Sequence, residues 1–246
     1  MKKILKIELK DASKKYTLEK IEKFTFDPKG FFHIVSLNPE NFVIAQRNSN
    51  FRKALQDAQI QLIDGFGVVL AGMLLGLKVG ERMTGTDLME KLMDLAIRKR
   101  LTVVLIGGGP KLAEYIANCY NQKAGESLFF GLEGIKNIKN PKKEEVEEIM
   151  AIIRDRRPYF LFVSFGSPAQ ELWIWKNRHK LKGIACMGVG GAFDFLAGRV
   201  RRAPKFVRSL GLEWTWRLIR QPWRLKRQLR IPYFLWLVLK QKFQIR

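Results

Sequence analysis

The sequence is short of several things, and each shortage narrows the function. Only two cysteines, Cys119 and Cys186, occur in 246 residues. Both lie in apolar stretches without metal-type spacing, which argues against a disulfide framework and for a reducing compartment. Two histidines, His33 and His179, are too few for a typical histidine metal site and are expected to be structural. There is no Asp-x-Asp pair of the kind that holds a metal against a sugar diphosphate, no GxSxG and no P-loop. No metal and no cofactor are expected. No run reaches the roughly 18–20 apolar residues that cross a bilayer. The basic N-terminus, MKKILKIELKDASKKY, has no unbroken apolar core, so no signal peptide is expected. Acids are scarce as well: 23 Asp+Glu face 45 Lys+Arg, a net charge of +22. That bias favours anionic partners such as phosphates, nucleic acid or an acidic bilayer.

What is present is an ordinary globular composition, 47% hydrophobic and 28% charged, in a chain long enough for one sizeable domain. Residues 1–28 alternate apolar and charged positions (Ile4, Leu5, Ile7, Leu9, then Ile21, Phe24, Phe26), which reads as a pair of short strands. Apolar strand-like runs then follow at 31–37, 60–64, 101–107, 127–131, 159–166 and 184–190. Helical patterns separate them at 40–58, 67–75, 86–99, 110–121, 143–154 and 168–180. Continuous apolar strands between amphipathic helices predict an α/β fold with a largely parallel, Rossmann-like sheet. Near Gly198 the composition shifts. Fourteen Lys and Arg in 199–246 face one acid, Glu213, and four of the six tryptophans lie there. The expected organisation is a body over 1–198 and a basic, amphipathic helical appendage over 199–246.

In open parallel sheets ligands gather beyond the C-terminal strand ends, so the strand-to-helix loops are the places to look. Ser36-Leu37-Asn38-Pro39 ends one strand and opens a helix, which makes Ser36 and Asn38 candidate catalytic-site residues, with Asn38 equally a plain helix cap. Asp64-Gly65-Phe66-Gly67 sets a carboxylate beside glycines, placed either as a general base or as a cap. Arg82, ahead of Thr84-Gly85-Thr86-Asp87, could pair with phosphate or simply lie on the surface. Gly107-Gly108-Gly109 lets a backbone approach a ligand, without the spacing or ribose acid of a dinucleotide site. Gly166-Ser167-Pro168-Ala169-Gln170 places Gln170 to bond a sugar hydroxyl, with capping by Ser167 as the rival reading. Gly190-Gly191 and Asp194 suit a nucleotide, Asp194 accepting from ribose or uracil; a tight packing turn is the rival.

In the tail, arginines recur near helical spacing beside Trp and Leu, as in membrane-surface helices. The apolar run 231–239 is short enough to dip into an interface without crossing it. A solvated basic helix and a single-stranded nucleic-acid binder are the competing readings of the same residues.

The segments SLNPENFVIAQRN, LIDGFGVVLAGMLLG, ERMTGTDLME, VLIGGGP, SFGSPAQELWI, GVGGAFDFLAGRVRRAP and GLEWTWRL, in this order, resemble the WecG/TagA/CpsF glycosyltransferase family. The resemblance implies a Rossmann-like transferase. Its members pass an N-acetylmannosamine-type sugar, or its uronic acid, from UDP to a polyprenyl-diphosphate-linked amino sugar, with inversion and without a catalytic metal. It points to Asp64 as the base and to Ser36, where some members have Thr, as a sugar contact. Arg82 and Gln170 take positions expected in the pocket. Arg217, Arg224 and Arg227 match the appendage arginines brought to the diphosphate. The implied partners are a UDP-sugar donor, the lipid-linked acceptor, an anionic membrane surface met by 199–246 and, as an option, a second copy of the chain. The implied location is the inner face of the cell membrane, as a peripheral cytoplasmic protein. A polyanion binder is the alternative; a nicotinamide-dependent enzyme is disfavoured by the missing ribose acid.

Overall fold

The computed structural model describes residues 2–11, 13–209, 211–220, 222 and 225–244; of Lys205, Ser209, Arg217, Arg220, Lys226 and Arg227 it describes the backbone alone. A hairpin of β1 (Lys3–Ile4) and β2 (Ile7–Glu8) leads into helix α1 (Lys14–Phe26). A six-stranded sheet contains β3 (Phe32–Leu37), β4 (Ile60–Ile63), β5 (Val103–Gly107), β6 (Phe129–Leu132), β7 (Phe160–Ser164) and β8 (Ala185–Gly188), in the order β4-β3-β8-β7-β5-β6. The pairings β3–β8, β8–β7, β7–β5 and β5–β6 are all parallel. All five residues of β5 and four of the five in β7 are buried, as strands covered on both faces must be. The α/β reading and the strand positions hold to within two residues at most ends.

Two sequence expectations are corrected. Residues 14–26 form a helix rather than a second strand: Thr17, Ile21, Phe24 and Thr25 are the buried positions, a spacing of 3.6 rather than 2. The helix expected over 40–58 is two, α2 (Pro39–Arg47) and α3 (Ser49–Asp57). Asn48 is extended between them and its side chain accepts from the Phe51 N–H, so it starts a new helix instead of continuing the old one.

The chain forms two compact units. One comprises 18–35 and 85–200 and holds β5 to β8. Its helices are α5 (Gly85–Lys99), α6 (Leu112–Ala124), α7 (Lys143–Arg156), α8 (Ala169–Lys176) and α9 (Ala192–Leu196). Its core joins Val104, Ile106, Leu161 and Val163 of the sheet to Ile149 and Ile153 of α7 and Ile174 of α8. His33 is wholly buried in this unit, and desolvation holds its imidazole down to about 3.

The other unit comprises 1–17, 36–84 and 201–246. It holds α2, α3, β4, α4 (Phe66–Leu74) and the tail helices α10 (Lys205–Ser209), α11 (Glu213–Arg220), α12 (Leu225–Gln228) and α13 (Arg230–Lys242). The basic tail is not loosely attached within this unit. α13 buries Phe234 and Val238, one turn apart, and the Phe234 ring lies 5.3 Å from that of Phe42 on α2. Arg230 pairs with Glu40 of α2, and Gln241 Nε2 donates to the Lys3 carbonyl of the hairpin at 3.1 Å.

Candidate active site

In the unit that carries the tail, three backbone segments end side by side. The Asp64 N–H donates to the Leu37 carbonyl at 2.9 Å, and the Met83 N–H to that of Ile63 at 3.0 Å, with Ile63 and Arg82 in parallel register. Ser36, Asn38, Asp64 and Arg82 therefore sit on neighbouring strand ends, as parallel pairing requires.

Their side chains are differently occupied. Asn38 Oδ1 accepts from the Asn41 N–H at 2.9 Å, and Asn41 Nδ2 donates to the Ser36 carbonyl at 2.7 Å. Asn38 is thus the cap of α2, the structural alternative read from the sequence. Asp64 is partly exposed and is not the cap of α4, since Gly65 holds that position. The loop that carries Asp64 is tight. A Cβ on Gly67 would lie 2.7 Å from Pro39 Cγ, and one on Gly65 would lie 3.1 Å from Pro39 Cδ. Only residues without side chains let the two helix starts approach this closely.

Arg82 Nη1 donates to the Arg208 carbonyl at 2.7 Å, and its Nε is enclosed without a hydrogen-bond partner. Arg202 pairs with Glu213 at 3.3 Å, both side chains under a fifth exposed. A Cβ on Gly211 would lie 2.4 Å from Phe66 Cβ. Gly211 is therefore seated on Phe66, the residue two beyond Asp64. The sequence pattern did not single out Arg202 or Arg208; the 126-residue separation of Arg82 from Arg208 leaves no local signal for that contact. Among the arginines expected at a diphosphate, Arg224 lies outside the described residues, as do the side chains of Arg217 and Arg227.

In the other unit, the loops after β7 and β8 are tied together by one side chain, and the loop after β5 joins them through the Gly108 N–H, which donates to the Ser164 carbonyl at 3.0 Å. Gln170 is 4% exposed. Its Oε1 accepts from the N–H groups of Gly166 at 3.1 Å and Gly190 at 3.0 Å, while Nε2 donates to Glu171 at 2.8 Å. Its amide holds loops rather than standing open to a hydroxyl. Ser164 adds a second tie, its Oγ donating to the Gly190 carbonyl at 2.6 Å. Gly107, Gly108 and Gly109 all have φ between 84° and 102°, conformations that side chains resist. The first two also pack against the Ser164 carbonyl and Phe193, whereas Gly109 faces open space. Gly191 caps α9, and Asp194, partly exposed, stands in its first turn. Backbone N–H groups at loops entering helices make a setting suited to anions.

Among the described residues no three of His, Cys, Asp and Glu gather where they could hold a metal ion, and no helix is long and apolar enough to cross a membrane.

The motif order also has counterparts among known proteins. Over 215 residues the chain is 34% identical to the N-acetylglucosaminyldiphosphoundecaprenol N-acetyl-beta-D-mannosaminyltransferase of Bacillus spizizenii, covering 87% of this chain and 80% of that protein. It is 30% identical over 225 residues to the protein of the same name from Bacillus subtilis, covering 92% and 86%. The profile of the glycosyl transferase WecG/TagA/CpsF family matches residues 2–246, so the chain belongs to that family.

Proposed function

We propose that this glycosyltransferase moves N-acetylmannosamine, or its uronic acid, from UDP to a polyprenyl-diphosphate-linked acceptor in cell-surface glycan synthesis, with inversion and without a metal. The family match and the names of both relatives support the transfer and the lipid-linked acceptor. The observation that carries the mechanism is Asp64: a partly exposed carboxylate on a loop fixed by Gly65, Gly67 and Pro39.

In the proposed reaction Asp64 takes the proton of the acceptor hydroxyl as that oxygen attacks the anomeric carbon from the face opposite UDP. A new C–O bond forms, the bond to the diphosphate breaks, and UDP leaves with the electron pair. Negative charge on the leaving group needs positive partners, and there is no Asp-x-Asp to bring a metal. The helix starts that follow the loops at Gly107–Gly109, Gly166 and Gly190–Gly191 take part of that role through their dipoles, the Gly166 and Gly190 N–H groups being held already by Gln170, and Arg217, Arg224 and Arg227 take the rest. Asp194 accepts from the ribose or uracil, and Ser36 contacts the sugar. Arg82 and Gln170 act as positioning residues, given the partners they already hold. Residues 1–198 serve as the catalytic body and 199–246 as the segment that meets the inner face of the cell membrane, its charge suited to anionic lipid.

The test is a panel of UDP-sugars with a polyprenyl-diphosphate-linked GlcNAc, in buffer containing a chelator. Mass spectrometry should show one added N-acetylhexosamine (or its uronic acid), and NMR an inverted anomeric centre. Retention of configuration, or a product seen only with added divalent cation, contradicts the mechanism.

A further inference from the structure

α4 is anomalous for a surface helix. Its sequence, FGVVLAGML, has no polar side chain on any face. A helix apolar all round is normally enclosed. Here Val68, Ala71 and Gly72 are buried, whereas Phe66 is 44% and Met73 67% exposed, with Val69 and Leu70 partly so. At 100° per residue those four lie on one face, so α4 presents an apolar stripe about 10 Å long. Its first residue stands two positions after Asp64. Its far end opens into a groove of about 660 Å³ lined by Met73, Leu75, Leu77, Gln241, Lys3 and Lys242. All of this lies within the unit that carries the tail.

We propose that this stripe and groove seat the part of the acceptor's polyprenyl chain nearest its diphosphate. The inference rests on the function proposed above and adds a site to it. Three observations favour this occupant. The stripe starts at the candidate base, so whatever lies on it runs outward from the sugar-bearing end, as the chain of a lipid-linked acceptor must. The stripe on α4 is wholly apolar and matches a hydrocarbon chain, while the groove beyond it mixes Met73, Leu75 and Leu77 with Gln241 and two lysines. Lys3 and Lys242 stand among the groove's lining residues, with Tyr233, Trp236 and Leu239 of α13 exposed along the helix that carries Lys242 and Lys240 over the Trp236 ring at 4.8 Å. That is where a chain passes into a bilayer whose headgroups are anionic.

The experiment measures transfer to two acceptors that share the GlcNAc-diphosphate end, one with a long polyprenyl chain in detergent micelles and one whose chain is a single methyl group, too short to lie on the stripe. The variants are Leu70→Gln and Met73→Gln, each checked for an unchanged melting temperature. Removing apolar contact should raise KM for the long-chain acceptor about tenfold for the pair of substitutions. The kcat/KM for the short-chain acceptor should stay within twofold. Flotation with vesicles of anionic phospholipid, without acceptor, should be unaltered. An unchanged long-chain KM overturns the inference, as does an equal rise for both acceptors. Loss of vesicle binding in step with KM also overturns it, since the stripe would then be a seat for the bilayer itself. If the wild type transfers to neither acceptor, the proposed function fails first; if it transfers to both and the variants match it, only the prenyl site fails.

Discussion

Adding one methyl group at Gly67 tests how tightly the Asp64 loop must be held. The new Cβ would stand 2.7 Å from Pro39 Cγ. Carbon atoms pack comfortably at about 3.5–4.0 Å, so one side must move by roughly 1 Å. Pro39 is buried in the first turn of α2 beside the Asn38 cap, and its ring cannot rotate away. The displacement therefore passes to residues 64–67. Forcing such a contact costs about 1–3 kcal/mol. Ala in place of Gly within a helix returns up to about 1 kcal/mol. Net stability should fall by no more than about 3 kcal/mol, too little to unfold a domain of ordinary stability. Catalysis is more sensitive: a displacement of 1 Å in a reacting group can cost on the order of 100-fold. Gly67→Ala should thus keep its fold, seen by circular dichroism and urea titration, while kcat for transfer falls by about two orders of magnitude. A variant that folds and retains kcat within a factor of two would refute the claim that this contact sets the position of Asp64.

Other outcomes follow from the same geometry. The His33 imidazole, held down to about 3 against an ordinary value near 6.5, stays neutral in the fold while the unfolded chain takes up a proton. Its contribution is complete above about pH 6.5 and is lost as pH falls towards 3, amounting to about 2 kcal/mol by pH 5. Urea midpoints at pH 7 and pH 5 should show this loss in the wild type and a shallower one in His33→Leu. Gln170→Ala leaves the Gly166 and Gly190 N–H groups without their acceptor and should cost about 2–4 kcal/mol in urea titration, with KM for the donor rising more than KM for the acceptor. Phe234→Ala empties the contact with Phe42 and should cost about 3–5 kcal/mol, shown by a lower urea midpoint.

The strands were legible because burial on both faces leaves little but Val, Ile, Leu and Phe, as in Val103–Ile106 and Phe160–Val163. α1 was not, because charged residues between Leu18, Ile21, Phe24 and Phe26 imitate alternation over a short window. The break at Asn48 had a signal, an Asn-Ser pair inside an otherwise continuous helical pattern, and the apolar spacing masked it. Motif order identified the family and placed Asp64, Ser36 and Arg82 on strand ends. It could not show that Gln170 reaches across to Gly190, or that Arg82 reaches Arg208, since both contacts join residues far apart in the chain. Nor could composition show Phe234 and Val238 packed inside a helix that otherwise reads as a membrane-surface element.

The most direct measurement is single-turnover transfer by Asp64→Asn with the UDP-sugar and lipid-linked acceptor that the wild type uses. The amide keeps the size of the side chain and cannot take a proton, so the rate should drop by about 10²–10⁴-fold with donor binding within a factor of three. The acid limb of the pH–rate profile set by this carboxylate should vanish with it. A rate within tenfold of the wild type, with that limb intact, would contradict the assignment of Asp64 as the base.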